Sequence, residues 1–532
     1  MRSNFKLNRV TAAVMIATAS MAPARFAVAG PGFGDAYDLN QAPFVIQSYF
    51  ANSPSGARLW DPATGAPAAY DPANQTEYSR LIQQNFPGYT GTGKALRKFV
   101  DPLPLPAGHA LTAKNPTTLS DGVTAKYIPV ATPSKWVRPD GTASSDDYYE
   151  IAAVEYSEKF HSDLRKATTL RGYVQIDHLA SNGRGALPGS KALALYYPNS
   201  SGKVAFAAGA AVPADAVAIM IAGTDANGKL TGTKVQASVV DEPHFLGPVI
   251  QAISTNPVSM ATLNTGAPTR VKFLNLLPVG RAEISGTKNI LEYDPATKTM
   301  VLARTVPSVV KRNGDHFLPV DPSVPGAGYG PDGLHTYSQN RTNIHLHGGD
   351  TPWISDGGPH TWITPAGEAD AAVPGSIASL NAEPAAGPMD ATLVPEFLRG
   401  PGALNVPDMN DPGAGAMTYY FPNGQSARME WYHDHTVGIT RLNAYAGLVS
   451  AYFLTDATEQ GLIAAGTLPG PEATIPLVLA EKTFVPDDIA LQDARWDTAA
   501  WGAPGDMWYA HVYETVQDPN QWTNFNSVGR WH

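Results

Sequence analysis

The 532-residue chain contains no cysteine. No disulfide can staple it, and no metal site that needs a thiolate ligand can form from its own residues. Charge is also sparse. Only 16% of residues are charged, the net charge is −10, and no basic stripe is evident, which argues against a general nucleic-acid binder. A mildly acidic surface is compatible with attracting metal cations but is too common to single that role out. No stretch approaches the ~18 uninterrupted apolar residues that a membrane-crossing helix needs, so no span is expected. There is no tandem repeat.

Glycine and proline are plentiful, at 49 and 46 residues, and apolar residues make up 43%. Together they point to an all-β, loop-rich protein. The length is enough for two or three domains with sizeable cores. Arg2, Lys6 and Arg9 precede a short apolar stretch over residues 10–22, and Ala27-Val28-Ala29 follows with small residues. That order reads as a secretory signal cut after Ala29, and so as export to the periplasm or the medium.

Thirteen histidines are present, and four of them form two His-x-His pairs: Asn343-Ile344-His345-Leu346-His347-Gly348-Gly349 and Trp431-Tyr432-His433-Asp434-His435. Side chains alternate faces along a strand, so each pair shares one face. Two pairs brought together offer four imidazoles to metal. Copper, zinc, iron and nickel all suit imidazole, and the spacing does not choose among them. Asp434 is expected to point to the opposite face and bond nearby backbone or Arg441. Trp353, Trp362, Trp431 and Tyr432 are expected to pack around the site, Met429 to lie in the core, and His360 to sit on the rim. His161 reads as structural, and His178 and His244 as surface residues. Ser355-Asp356-Gly357 is a turn signal, and Asp suits it.

The wording around the pairs carries more. His345-Leu346-His347-Gly348-Gly349, Thr351-Pro352, Ser355-Asp356-Gly357, Trp431-Tyr432-His433-Asp434-His435 and Gly438-Ile439-Thr440-Arg441-Leu442-Asn443 together resemble the first domain of multicopper oxidases. The likeness is above all to spore-coat-type bacterial laccases and their manganese-oxidising relatives. It implies a cupredoxin-like Greek-key β-sandwich. It also implies His345 as a ligand of type 2 copper, and His347, His433 and His435 as ligands of type 3 copper. For Asp356 it implies a second reading beside the turn: an acidic residue near the trinuclear copper site that delivers protons or holds water.

In that family a type 1 copper takes single electrons from a reducing substrate. A Cys-His bridge passes them to a cluster of eight histidines, which reduces dioxygen to water. This chain has two of the four histidine motifs and no cysteine for a type 1 site. The resemblance therefore implies the N-terminal portion of an exported multicopper oxidase, with the C-terminal cupredoxin domains lying outside this chain. Mn(II) and phenols are the substrate candidates, and the large inserts lean towards manganese. The alternative is a non-catalytic secreted copper-binding cupredoxin protein.

The organisation expected along the chain is a signal peptide over 1–29, an extension over 30–97, a first cupredoxin domain over 98–456, and a linker with the start of a second such domain over 457–532. The first domain carries inserts at about 176–244, 279–314 and 365–417. The first insert holds a hairpin signal around Asn227-Gly228. The third, rich in Ala, Gly, Pro, Asp and Asn, reads as a long exposed loop.

Overall fold

The computed structural model describes residues 99–113, 115–256, 266–279, 314–318, 337–368, 399–485 and 502–508, with a few single residues and the backbone of four further strands. The expected signal segment lies outside the described residues.

Nine strands form the central sandwich: β1 Ser134–Val137, β2 Ala143–Glu158, β3 Thr168–Gln175, β4 Ile250–Ile253, β5 Thr269–Asn275, β6 His345–His347, β7 Ala416–Phe421, β8 Arg428–His433 and β9 Val449–Thr455. One sheet runs β7-β5-β2-β1, with β3 pairing the far half of the long β2. The other runs β4-β9-β8-β6. Both are mixed, since β5 lies parallel to β2 and β4 parallel to β9. The all-β sandwich read from the sequence is the architecture seen.

Period-two alternation builds the core. Tyr149, Ile151 and Ala153 of β2, Val271 and Phe273 of β5, and Tyr419 and Phe421 of β7 point inward. They meet Leu346 of β6, Tyr432 of β8 and Tyr452 of β9 from the opposite sheet. Each large apolar side chain so buried contributes about 1.5–3 kcal/mol. The other face of β2, with Ala152, Val154 and Tyr156, is covered in turn by Leu193, Leu195, Ile219 and Val239. These come from residues 176–244, which form a small three-stranded sheet and the hairpin Met220–Thr224 with Leu230–Gln236. In the hairpin turn the Asp225 carboxylate accepts from the amides of Asn227 and Lys229, and Gly228 takes a left-handed φ of +76°. A second hairpin, Ile284–Asp294 with Thr299–Val310, occupies most of 279–314.

The structure corrects several sequence expectations. Of the stretch 365–417, residues 369–398 lie outside the described residues, but 399–417 is not an exposed loop. Val406 and Met409 bury against Trp136 and Tyr148, and the carboxylate of Asp408 pairs with Arg270 at 2.7 Å. His244 is buried rather than on the surface: its Nδ1 lies 3.1 Å from Glu158, which also takes the Lys126 ammonium at 2.9 Å. His178 is half-buried, with its ring edge-on to Tyr148. Met429, at 47% exposure, is not a core residue, because it alternates with the inward-facing Glu430 and Tyr432.

Two helices flank β9. The first, α1, spans Thr440–Ala446. The second, α2, spans Ala457–Ala464 where a linker was expected, and the Asp456 carboxylate caps it by accepting the Glu459 amide at 2.8 Å. Beyond it, residues 475–483 have no sheet partner among the described residues, and Leu479 is 94% exposed.

Candidate metal centre

The sandwich presents the histidines through register. β6 pairs antiparallel with β8, setting His345 opposite His433, Leu346 opposite Tyr432 and His347 opposite Trp431. Leu346 and Tyr432 are buried in the core. Period two then turns His345, His347, Trp431 and His433 to the other face. A slip of one residue would exchange the two sets, so the apolar pair fixes where the imidazoles lie.

All four sequence-predicted histidines come together. Ring centroids are 5.5 Å apart for His345 and His347, 5.4 Å for His345 and His433, 4.8 Å for His345 and His435, and 5.4 Å for His347 and His433. The ligand-capable nitrogens of His345, His347 and His433 all lie within 4.8 Å of one another. His347 Nδ1 faces His433 Nε2 at 3.2 Å. His435 lies just past the end of β8, beside the rings of His345 and His433.

The tautomers of two rings follow from their partners. His345 Nδ1 lies 2.5 Å from the Asp356 carbonyl, and His433 Nδ1 lies 2.6 Å from the Asp434 carbonyl. A carbonyl only accepts, so both Nδ1 atoms carry hydrogen and both Nε2 atoms keep a lone pair for a metal. Burial pushes His433 down to about 4, with the neighbouring His345, His435 and His347 adding to the fall and the Asp434 carbonyl opposing it. His433 is thus neutral, as a ligand must be, across ordinary pH. His435 Nδ1 is buried and has no hydrogen-bond partner among the described residues. A buried polar atom without a partner is costly unless something coordinates it. This donor set of clustered imidazole nitrogens fits copper.

Asp434, fully buried, points away as expected. Its carboxylate accepts from the Asn343 amide at 3.0 Å, the Thr436 hydroxyl at 2.6 Å and the Asn443 side chain of α1 at 3.0 Å. Burial pushes its carboxyl above the usual range, while these donors pull the other way.

Asn343 was not singled out from the sequence, yet it ties the centre together. Its Oδ1 accepts the His435 amide at 2.7 Å. Its Nδ2 donates to the Gly358 carbonyl and the Thr361 hydroxyl, both at 2.9 Å. The available signal was its place two residues before His345. Gln425 does similar work outside, accepting the Asp350 amide at 2.6 Å and donating to the Gly348 carbonyl at 2.7 Å.

Asp356 follows the single 3-10 turn Trp353–Ser355, so the turn reading describes its backbone. Gly357 there has φ +68°, and a Cβ on it would sit 1.8 Å from the Ile344 carbonyl oxygen. The half-exposed Asp356 carboxylate also lies 3.5 Å from His345 Nδ1. Trp362 is buried beneath the Arg341 guanidinium, and Tyr432 is buried with its hydroxyl donating to the Pro248 carbonyl. Trp353 does not pack around the site. It is 72% exposed, because the turn carries it outward. His360 is exposed, as a rim residue would be.

The arrangement defines a class first: an all-β sandwich with a cluster of imidazoles open to metal at one edge. No family profile matches the chain. Individual relatives do. It is 33% identical over 180 residues to a laccase of Bacillus stratosphericus, a match covering 34% of this chain and 26% of that one. It is 31% identical over 172 residues to a laccase of Bacillus subtilis, covering 32% and 24%. It is 44% identical over 79 residues to a bilirubin oxidase of Albifimbria verrucaria, covering 14% and 13%. By these matches the chain is a relative of the multicopper oxidases, and copper is the cofactor that kinship implies. The matches span about a quarter of the length of the two laccases. Among solved structures, McoA multicopper oxidase from Aquifex aeolicus aligns at 13% identity with a TM-score of 0.26, covering 72% of this chain and 38% of that one. At that TM-score the superposition adds nothing to the sequence matches.

Proposed function

We propose that this chain supplies half of the histidine ligands of a trinuclear copper centre in an exported multicopper oxidase. His345 takes the type 2 position, and His347, His433 and His435 the type 3 positions. The observation that carries the reading is the convergence of the four rings, with Nδ1 of His345 and of His433 held on backbone carbonyls and Nδ1 of His435 without a hydrogen-bond partner among the described residues. Bound copper supplies redox chemistry, in which four one-electron oxidations of substrate match the reduction of one dioxygen to two waters. The chain's own residues hold and orient. The Asp356 and Asp434 carbonyls fix two imidazole planes, and Asn343 fixes the backbone of His435. On this reading the half-exposed Asp356 carboxylate, 3.5 Å from His345 Nδ1, passes protons between solvent and the centre.

On this reading residues 1–29 direct export, 98–456 form the first cupredoxin domain, and 457–532 lead into a second. No described helix is long and apolar enough to cross a membrane. Mn(II) and phenols remain the two substrate classes, with Mn(II) ahead on the size of the inserts. The type 1 copper and the remaining ligands come from cupredoxin domains outside this sequence.

The test is to isolate from its producing cells the protein that carries this sequence, load it with copper, and follow oxygen uptake with Mn(II) and with a phenol. The expected result is one dioxygen consumed per four electrons delivered. Copper-loaded protein that takes up no oxygen with either would favour the second reading, a non-catalytic copper-binding protein.

A further inference from the structure

The four imidazoles are not held alike. His345 and His433 each anchor Nδ1 on a backbone carbonyl, and the amide of His435 is anchored by Asn343. His347 stands at the exposed edge, and among the described residues its Nδ1 faces only another ring, that of His433. An imidazole's second torsion is broad, so an unanchored ring turns easily. What does meet His347 is Trp431, its register partner across the ladder. The indole stacks on His347 at 4.8 Å between centroids and 24° between planes, and on His433 at 4.0 Å and 20°. It remains 36% exposed, lying over the edge of the cluster that opens to solvent.

We propose that Trp431 is a positioning residue of the metal centre. Its face does for His347 what a carbonyl does for His345 and His433. By stacking on both rings it sets the plane of His347 against that of His433, so that their facing nitrogens converge on one ion. This rests on the copper reading above and adds to it a residue that touches no metal. Offset aromatic stacks hold rings through dispersion and quadrupole contact, so a phenyl ring can substitute for the indole while an aliphatic side chain of similar bulk cannot.

The experiment uses the full chain with Trp431→Leu and Trp431→Phe beside the parent. Each is titrated with Cu(II) against a competing chelator, the bound Cu(II) is recorded by electron spin resonance, and metal-free unfolding in urea is followed separately. Trp431→Leu should bind about tenfold more weakly, a factor worth ~1.4 kcal/mol, with a broadened, heterogeneous Cu(II) signal. Trp431→Phe should stay within about twofold of the parent with a single signal. Metal-free unfolding should hardly change in either, because the residue is partly exposed. Affinity and signal in Trp431→Leu equal to the parent's would overturn the inference. So would a loss in Trp431→Phe as large as in Trp431→Leu. A parent that takes up no copper withdraws the copper reading and this inference with it, an outcome distinct from equal binding by all three proteins.

Discussion

Replacing Asn343 by alanine tests how the centre is supported. The side chain is fully buried and makes three good hydrogen bonds, at 2.7 Å from the His435 amide, 2.9 Å to the Gly358 carbonyl and 2.9 Å to the Thr361 hydroxyl. Alanine removes all three, but the damage is uneven. The Thr361 hydroxyl already donates to Gly358 at 2.7 Å, so those two groups keep each other. The His435 amide loses the acceptor that the side chain provided. An orphaned buried donor costs about 1–3 kcal/mol, and the two Nδ2 bonds add roughly 1 kcal/mol between them after partial re-pairing, giving about 2–4 kcal/mol in all. Against the ~5–15 kcal/mol that keeps a protein folded, this is a large share. The assay is urea unfolding of metal-free Asn343→Ala and parent, with the midpoint shift multiplied by a common slope. Copper titration of the same two proteins should show weaker binding, since His435 loses its backbone anchor. A stability loss below ~0.5 kcal/mol together with unchanged copper affinity would refute the reasoning.

Three further outcomes follow from particular residues. Gly357→Ala should destabilise by more than about 3 kcal/mol and disturb the His345 anchor, because the new Cβ meets the Ile344 carbonyl at 1.8 Å in a left-handed turn; thermal unfolding reads this directly. His433 is depressed to about 4 by burial, below the ~6.5 of an exposed histidine, so the unfolded chain binds the extra proton first. Metal-free stability should therefore be full above about pH 6.5 and fall as pH drops towards 4, and the slope in that window should flatten in His433→Gln. With no cysteine, this chain loaded with copper on its own should show no intense blue absorption and no oxidation of phenols or Mn(II) beyond a metal-free control. Turnover that survives purification from host oxidases would contradict that expectation.

The β class was legible in the composition, and the sandwich through the resemblance carried by the phrases around the histidines. The run from Tyr148 to Val154 and that from Val271 to Asn275 are strands in the structure, and Leu346 with Tyr432 sends the histidines outward. That each histidine pair shares a face was legible from its i, i+2 spacing, whereas the meeting of the two pairs was implied by the resemblance. What could not be read depends on partners far along the chain. His244 finds Glu158 across 86 positions, and Asn343 finds His435 across 92. Neither pairing leaves a mark in the local sequence. Helix α1 was missed because seven residues between two strands are too few for a period to declare itself. Met429 reads as core by residue type, yet strand parity exposes it. The apolar residues of 399–409 were hidden by their neighbours' composition, although Val406 and Met409 are buried.

The central claim, that these four histidines form one copper-binding centre, is tested most directly by Cu(II) titration of the parent and of His347→Ala, His433→Ala and His360→Ala, with spin resonance on the bound ion. His347 and His433 face each other at 3.2 Å, whereas His360 lies exposed on the rim. The account predicts that the first two substitutions lower copper uptake by similar amounts and alter the Cu(II) signal, while His360→Ala leaves both as in the parent. Equal loss in all three variants would mean scattered surface binding and would contradict the assignment of a centre.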